Sequence, residues 1–275
     1  MQYDPIKRSL GRVFNITPTL RVIFYKMLDL LLLRSWYIRR ELSKWNKQLA
    51  TTSASILDAG SGFGQYTHRM ATLNKKHNIL GVDVKEEQMT DCNNFFASLG
   101  MNDRVRFEVQ DLTKFVSPNS FDLILSVDVM EHILDDVQVL KNFFASMKKG
   151  GTLLISTPSD QGGSDADEHD HADGQAHGFI DEHVRDGYNI NDIKEKLATV
   201  GFQNIETRYS YGTAGHIAWV LSMKWPIIAL NATKLLFILL PFYYITVFPL
   251  CLILNAIDLC TNHRRGTGLI VKAIK

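Results

Sequence analysis

The sequence predicts an α/β fold, an open sheet of seven strands with helices on both faces, and three observations carry that expectation. Short apolar runs alternate with segments of helical period along most of the chain. One such run, Ile56 to Ala59, breaks into Gly60, Gly62 and Gly64 and then passes into a helical stretch, so it reads as strand, tight turn, helix. Further runs end in acids, at Asp83, Asp111 and Asp128, where a ligand of an open sheet would meet side chains.

Composition sets the outer limits. The chain has 275 residues, 45% of them hydrophobic, and a formal net charge of +1, enough for one large α/β domain with an elaboration. No basic excess points to nucleic acid. Cys92, Cys251 and Cys260 are scattered and form no C-x-x-C pair, so neither a disulfide framework nor a thiolate zinc site is expected, and a reducing compartment is the simplest setting. The first residues lack an apolar core followed by a small-residue cleavage site, so no secretory signal is expected.

The elements follow in order. Residues 18–49 read as one helix, with Leu20, Ile23, Phe24, Met27 and Leu31 near a helical period. Its run Leu30 to Leu33 overfills a single stripe, which suits either a cap over the site or a segment lying in a membrane interface. The glycine loop follows. Its spacing is G-x-G-x-G, tighter than the dinucleotide fingerprint, and Asp58 before it would repel a pyrophosphate but suits a ligand carrying an ammonium group. Residues 78–83 make a second strand ending in Asp83, placed to accept ribose hydroxyls; a helix N-cap is its other reading. A helix over 86–99 and a strand over 104–110 lead to Asp111 and Leu112. Residues 120–128 form an apolar fourth strand suited to the buried centre of a parallel sheet. A helix over 135–147 ends in lysines and glycines, and a fifth strand over 152–158 is closed by Pro158.

In this order and at these intervals the chain resembles the class I S-adenosylmethionine-dependent methyltransferases, whose first motif looks like Asp58-Ala-Gly-Ser-Gly-Phe-Gly64. The resemblance runs from about residue 51 to 203 and resumes at the C-terminus. It implies a Rossmann-like seven-stranded sheet and S-adenosyl-L-methionine as cofactor, bound by Asp58, Gly60, Gly62, Gly64, Asp83, Asp111, Leu112 and Asp128. An acid at Asp111 would reach the adenine amino group in that family; a turn residue is the alternative.

Methyl transfer from a sulfonium is an in-line displacement, so the protein must mainly align the acceptor and remove its proton. Two rim segments offer groups for that. Asp128, Glu131 and His132 match the E-x-x-E-H segment of the ubiquinone-biosynthesis O-methyltransferases, with aspartate in place of the first glutamate. That resemblance implies a divalent cation as a possible ligand of Asp128, Glu131 and His132, with orientation of the loop against the cofactor as the competing role. The stretch 159–188 is long for a compact domain and suits a lid. Within it His183 is a candidate general base, alongside His132, and Arg185 and Tyr188 are candidate substrate contacts. Pinning of the lid is the competing role for His183 and Arg185.

A helix over 191–200, stopped by Gly201, and a sixth strand over 203–209 come next. The seventh strand, 267–274, is delayed by an insertion of about fifty residues, and its centre from Trp219 to Ile257 carries only Lys224 and Lys234 as charges. Both flanking strands belong to one sheet, so the chain must return to the side it left, and a single membrane span is excluded. A hairpin on a cytoplasmic membrane face, with Trp219, Trp225, Tyr243 and Tyr244 at interfacial depth and His263 to Arg265 on anionic headgroups, is one expectation. A helical cap or dimer surface is the other. The expected organisation is a cap or interface segment over 1–50, the sheet domain over 51–212 and 263–275, and the insertion over 213–262. The expected activity is methylation of a hydrophobic or lipid-like acceptor at a hydroxyl, against carbon or nitrogen methylation of a small soluble molecule or cofactor binding without turnover.

Overall fold

The computed structural model describes residues 17–49, 53–162, 184–233 and 238–275. Helix α1 (Pro18–Leu31) opens with proline in its first turn, and the Thr17 hydroxyl accepts the Leu20 N–H at 3.3 Å. Where one helix was expected the chain breaks at Leu32, which is extended, and resumes as α2 (Leu33–Gln48). The break is covered locally: the Leu32 N–H reaches the Leu28 carbonyl at 2.9 Å, and the Trp36 indole reaches the Leu30 carbonyl at 3.0 Å.

The sheet is built from β1 (Ser55–Ala59), β2 (Asn78–Asp83), β3 (Val105–Val109), β4 (Phe121–Val127), β5 (Met147–Pro158), β6 (Gln203–Ser210) and β7 (Gly268–Ile274). Crossover helices are α3 (Gln65–Leu73), α4 (Glu86–Ser98), α5 (Asp136–Ser146) and α6 (Ile190–Val200). Strand order is β3-β2-β1-β4-β5-β7-β6. β1 to β5 pair in parallel, and β7 lies antiparallel between β5 and β6. β5 begins at Met147, earlier than expected, so Lys148 to Gly151 lie within the strand, next to a register shift against β4.

The strand period of two divides the apolar residues between two cores. Leu57 and Ile124 face one side, with Leu140 and Phe143 of α5 and Leu197 of α6. Ile56 and Leu123 face the other, with Tyr37 and Leu42 of α2, Met70 of α3 and Phe96 of α4. Both faces of the parallel strands are therefore covered, and the open rim lies at their carboxyl ends.

The insertion grows from that rim. Gly268 pairs with both Ser210 and Pro158, so the chain leaves β6 and returns into β7 beside the end of β5. It climbs through α7 (Thr213–Trp219), a π-helical turn (Val220–Lys224) and α8 (Trp225–Ala232), and descends through α9 (Leu240–Cys260). Pro226 explains the π turn. It has no N–H for the Ser222 carbonyl, and Trp225 donates instead to Val220, which also frees the Leu221 carbonyl. Tyr243 and Tyr244 supply the missing donors, each phenol reaching its carbonyl, Leu221 and Ser222 respectively, at 2.7 Å. The two tyrosine hydroxyls expected at interfacial depth are thus committed to the inside of the hairpin.

Among the described residues α9 is the one helix long and apolar enough to cross a membrane. Only 11% of its most apolar window is buried.

Candidate active site

The loop after β1 is shaped by backbone geometry. Gly60, Gly62 and Gly64 all have positive φ, at 80°, 51° and 83°. The N–H groups of Gly60 and Ser61 both donate to the Val82 carbonyl, at 2.8 and 2.9 Å, which ties the loop to the end of β2. A Cβ on Gly60 would come within 2.2 Å of the Val129 side chain, whereas one on Gly62 would meet nothing within 4 Å. Gly62 therefore marks the side of the loop that is open to a ligand.

The acids take up distinct places around it. Asp83 accepts the Gly62 N–H at 3.0 Å and the Lys85 N–H at 3.2 Å, and a carboxylate retains acceptor positions beyond those two. Asp58 lies beneath the loop, 2% exposed, with the Thr67 hydroxyl on its Oδ2 at 2.5 Å. Burial pushes its pKa up to about 7, against the Thr67 hydrogen bond and with help from Asp83. A direct approach of a ligand ammonium to Asp58 thus meets a covered carboxyl. Asp111 holds the turn after β3, taking the N–H and hydroxyl of Thr113 at 2.9 and 2.7 Å, and these bonds lower its pKa. Its turn role is what the geometry displays. Leu112 is buried, and its carbonyl accepts from Asn142 at 2.8 Å.

A cap that the sequence reading named only in outline closes over the loop. From α1, Arg21 donates to the Phe63 carbonyl at 2.7 Å and to Asp91 at 2.5 Å, and the Tyr25 hydroxyl donates to the same Phe63 carbonyl. Both side chains are buried, and burial together with nearby Cys92 and Asp91 pushes the Tyr25 pKa well above its usual value despite Arg21. Gln65, at the start of α3, donates to Asp29 at 2.9 Å and Ser35 at 3.3 Å. Arg34 of α2 forms an ion pair with Asp128, a residue at φ 51° just past β4. An arginine inside an apolar stripe, as at Arg21, was the available signal.

Two expectations are corrected here. Met130–His132 forms a 3-10 turn, in which successive side chains diverge by a third of a turn. Glu131 is buried with Thr157 donating to its Oε2 at 3.1 Å, His132 is exposed, and Asp128 is turned to Arg34. Asp128, Glu131 and His132 do not converge, and no group of three metal-capable side chains does among the described residues. Burial raises the Glu131 pKa.

The second correction concerns Arg185 and Tyr188. Arg185 pairs with Asp136 and donates to the carbonyls of Ile133 at 2.8 Å and Leu134 at 3.0 Å. Tyr188 is 1% exposed and donates to Asp136 at 2.7 Å and to the Met130 carbonyl at 3.2 Å. Burial pushes the Asp136 pKa up, but Tyr188, Lys196 and Arg185 outweigh it and hold the group below the usual carboxylate value. The pair anchors the chain onto α5 and presents no polar atom of Tyr188 to a substrate. His183 lies outside the described residues.

A sheet with a glycine loop after its first strand, an acid at the end of the second and an antiparallel seventh strand is a Rossmann-like arrangement suited to a nucleoside at the carboxyl ends of its parallel strands. Residues 50–205 match the family model described as a methyltransferase domain, and the chain belongs to that family. Phosphoethanolamine N-methyltransferase 1 of Triticum aestivum is 31% identical over 154 residues, covering 54% of this chain and 28% of the wheat protein. Ubiquinone biosynthesis O-methyltransferase of Xanthomonas campestris pv. campestris is 29% identical over 112 residues, covering 40% of this chain and 45% of that protein. The chain thus spans less than half the length of these relatives. Phosphoethanolamine N-methyltransferase 2 of Haemonchus contortus, solved with S-adenosyl-L-methionine, superposes with a TM-score of 0.58 at 20% identity, over 87% of this chain and 52% of that one. A putative sarcosine dimethylglycine methyltransferase from Galdieria sulphuraria gives 0.60 at 14% identity, over 88% and 86%. The open side of Gly62 and the spare acceptor positions of Asp83 fit a nucleoside of this kind.

Proposed function

We propose that this protein methylates a hydrophobic, lipid-like acceptor at the cytoplasmic face of a membrane, with a hydroxyl as the receiving group. The observation that carries the reading is positional: the exposed apolar hairpin leaves and re-enters the sheet at the rim that carries the glycine loop. Phe242, Ile245, Leu250, Ile253 and Ile257 of α9 all face solvent. A contiguous apolar flank of that kind suits a lipid surface.

S-adenosyl-L-methionine supplies a methyl group on a sulfonium with a neutral thioether as leaving group. The glycine loop and Asp83 would hold its nucleoside, with Asp111, Leu112 and Asp128 as the remaining candidate contacts. Arg21 and Tyr25 fix the cap on the Phe63 carbonyl beside the loop. His132, exposed just past β4, is the candidate we assign to take the acceptor's proton. His183 stays a candidate for the same role.

A second reading, an amine acceptor, is favoured by the several relatives named phosphoethanolamine N-methyltransferases. Incubation with labelled cofactor and total lipid extract, followed by mass spectrometry, separates the two. A methylated hydroxyl lipid whose formation falls in His132→Ala supports the first, and a methylated amine headgroup supports the second. Label confined to water-soluble products would overturn the lipid acceptor.

A further inference from the structure

We infer that a cationic cleft at the root of the hairpin binds the phosphate of an anionic membrane lipid, whose chains lie along the exposed flank of α9. The inference rests on the membrane reading of the hairpin and adds the headgroup that the enzyme docks against. The cleft has a volume of about 550 Å³ and sits where α9 ends and the chain turns back through Asn262 to Arg264 into β7.

Its charge is lopsided. Arg40 and Lys44 from α2, Arg208 from β6, Arg264 from the segment between α9 and β7, and Lys272 from β7 line it, against only Glu41 and Glu206. Part of that charge has a structural use. Arg40 donates to the Leu259 carbonyl at 2.6 Å, and Arg208 donates to those of Leu259 and Thr261 at 2.8 and 2.5 Å, at the negative end of α9. A helix end carries about half an electron charge, so it cannot balance a surplus of three. Lys44 and Lys272 pair with the two carboxylates at 3.0 and 4.0 Å. Arg264 is exposed, and the buried Nε of Arg208 has no hydrogen-bond partner. A cleft of surplus positive charge with an exposed guanidinium at its edge suits an anion.

Position selects the lipid source of that anion. Ile253 and Ile257, 58% and 49% exposed, lead down α9 to the cleft. If α9 lies in the acyl layer, its C-terminal end and the cleft beside it fall at the headgroup level, where Lys and Arg meet lipid phosphates.

The test is co-sedimentation of the full-length protein with vesicles of phosphatidylcholine alone and with vesicles enriched in phosphatidylglycerol. Wild type is expected to bind the anionic vesicles more tightly. The Lys44→Gln, Arg264→Gln double variant is expected to lose roughly fivefold per cation, about thirtyfold in all, on anionic vesicles only. Lys75→Gln with Lys76→Gln, on the exposed turn before β2 at the opposite rim, is expected to bind as wild type. Equal loss in the two double variants would reveal diffuse charge and overturn the cleft. Wild type and cleft variant binding both vesicles alike would overturn the cleft and leave the hairpin reading standing. Binding to neither vesicle would overturn both. Unchanged melting and cofactor affinity in the cleft variant establish that it is folded.

Discussion

Replacing Ile245 by Asp puts a carboxylate on the most exposed flank of α9, five residues in from the hairpin tip. Ile245 is 71% exposed and its neighbour Phe242 67%. Fully burying such a side chain is worth about 1.5–3 kcal/mol, so at these exposures each gains roughly 1–2 kcal/mol on entering an apolar layer. The five exposed residues of the flank together then supply about 6 kcal/mol before ordering costs. An aspartate at membrane depth costs about 2.5–3.5 kcal/mol, and the lost isoleucine adds the roughly 1–2 kcal/mol it had gained. A loss of roughly 3.5–5.5 kcal/mol lowers vesicle binding by about three to four orders of magnitude. In water the same exposed substitution changes stability by no more than about 0.5 kcal/mol. Vesicle flotation of wild type and Ile245→Asp, with melting temperatures in detergent-free buffer, measures both. Binding that stays within threefold of wild type would refute the membrane role of this flank. A dimer that falls to monomer in Ile245→Asp, with no vesicle binding by either protein, would identify the flank as a subunit contact.

Three further outcomes follow from the site. Asp58 has a folded-state pKa raised to about 7, so its contribution to stability is complete below the unfolded value near 4 and is lost as pH rises through 7. Asp58→Asn should therefore gain stability over wild type on going from about pH 4 to about pH 8, by up to about 4 kcal/mol, in urea melts of the cofactor-free protein; a gap constant with pH would contradict the burial account. Gly60→Ala, which drives a methyl into Val129, should cost upwards of about 2 kcal/mol, while Gly62→Ala should cost about 1 kcal/mol for its positive φ yet still weaken cofactor binding, as calorimetry would report. Tyr188→Phe removes the hydroxyl shared by Asp136 and the Met130 carbonyl and should destabilise by about 1–3 kcal/mol in denaturant melts, with cofactor affinity unchanged.

Legibility tracked the range of the interaction. The glycine loop, the strand-end acids and the return of the insertion to the rim it left are properties of local sequence or of connectivity. The break at Leu32 has no glycine or proline to signal it within Leu30 to Leu33, and α1 on its far side is held to the Phe63 carbonyl, a partner distant in sequence. Asp128, Glu131 and His132 looked like one donor set because they are close in sequence, but a 3-10 turn separates neighbours that a longer spacing would have aligned. Pro226 announces an orphaned carbonyl at Ser222 by its spacing alone, yet the donor that answers it, Tyr244, is fixed only by the pairing of two helices.

The corrected side chains share one consequence: polar groups near the rim are used to join elements distant in sequence. Asp258, 0% exposed near the end of α9, accepts Tyr37 of α2 at 2.7 Å and the Gly215 N–H of α7 at 2.9 Å, with His263 at 3.2 Å. Sliding the hairpin root against α2 would strip donors from a buried carboxylate, a cost of several kcal/mol, so root and helix move as one body. From α2 the linkage continues, because the Arg34 N–H donates to Tyr211 at 3.1 Å while the Arg34 side chain holds Asp128 beside the glycine loop. α1, by contrast, is joined to α2 through the extended Leu32 and grips the loop by Arg21 and Tyr25. A force that orients the hairpin therefore orients α2 and the Asp128 side of the pocket directly, and reaches α1 only through the joint at Leu32.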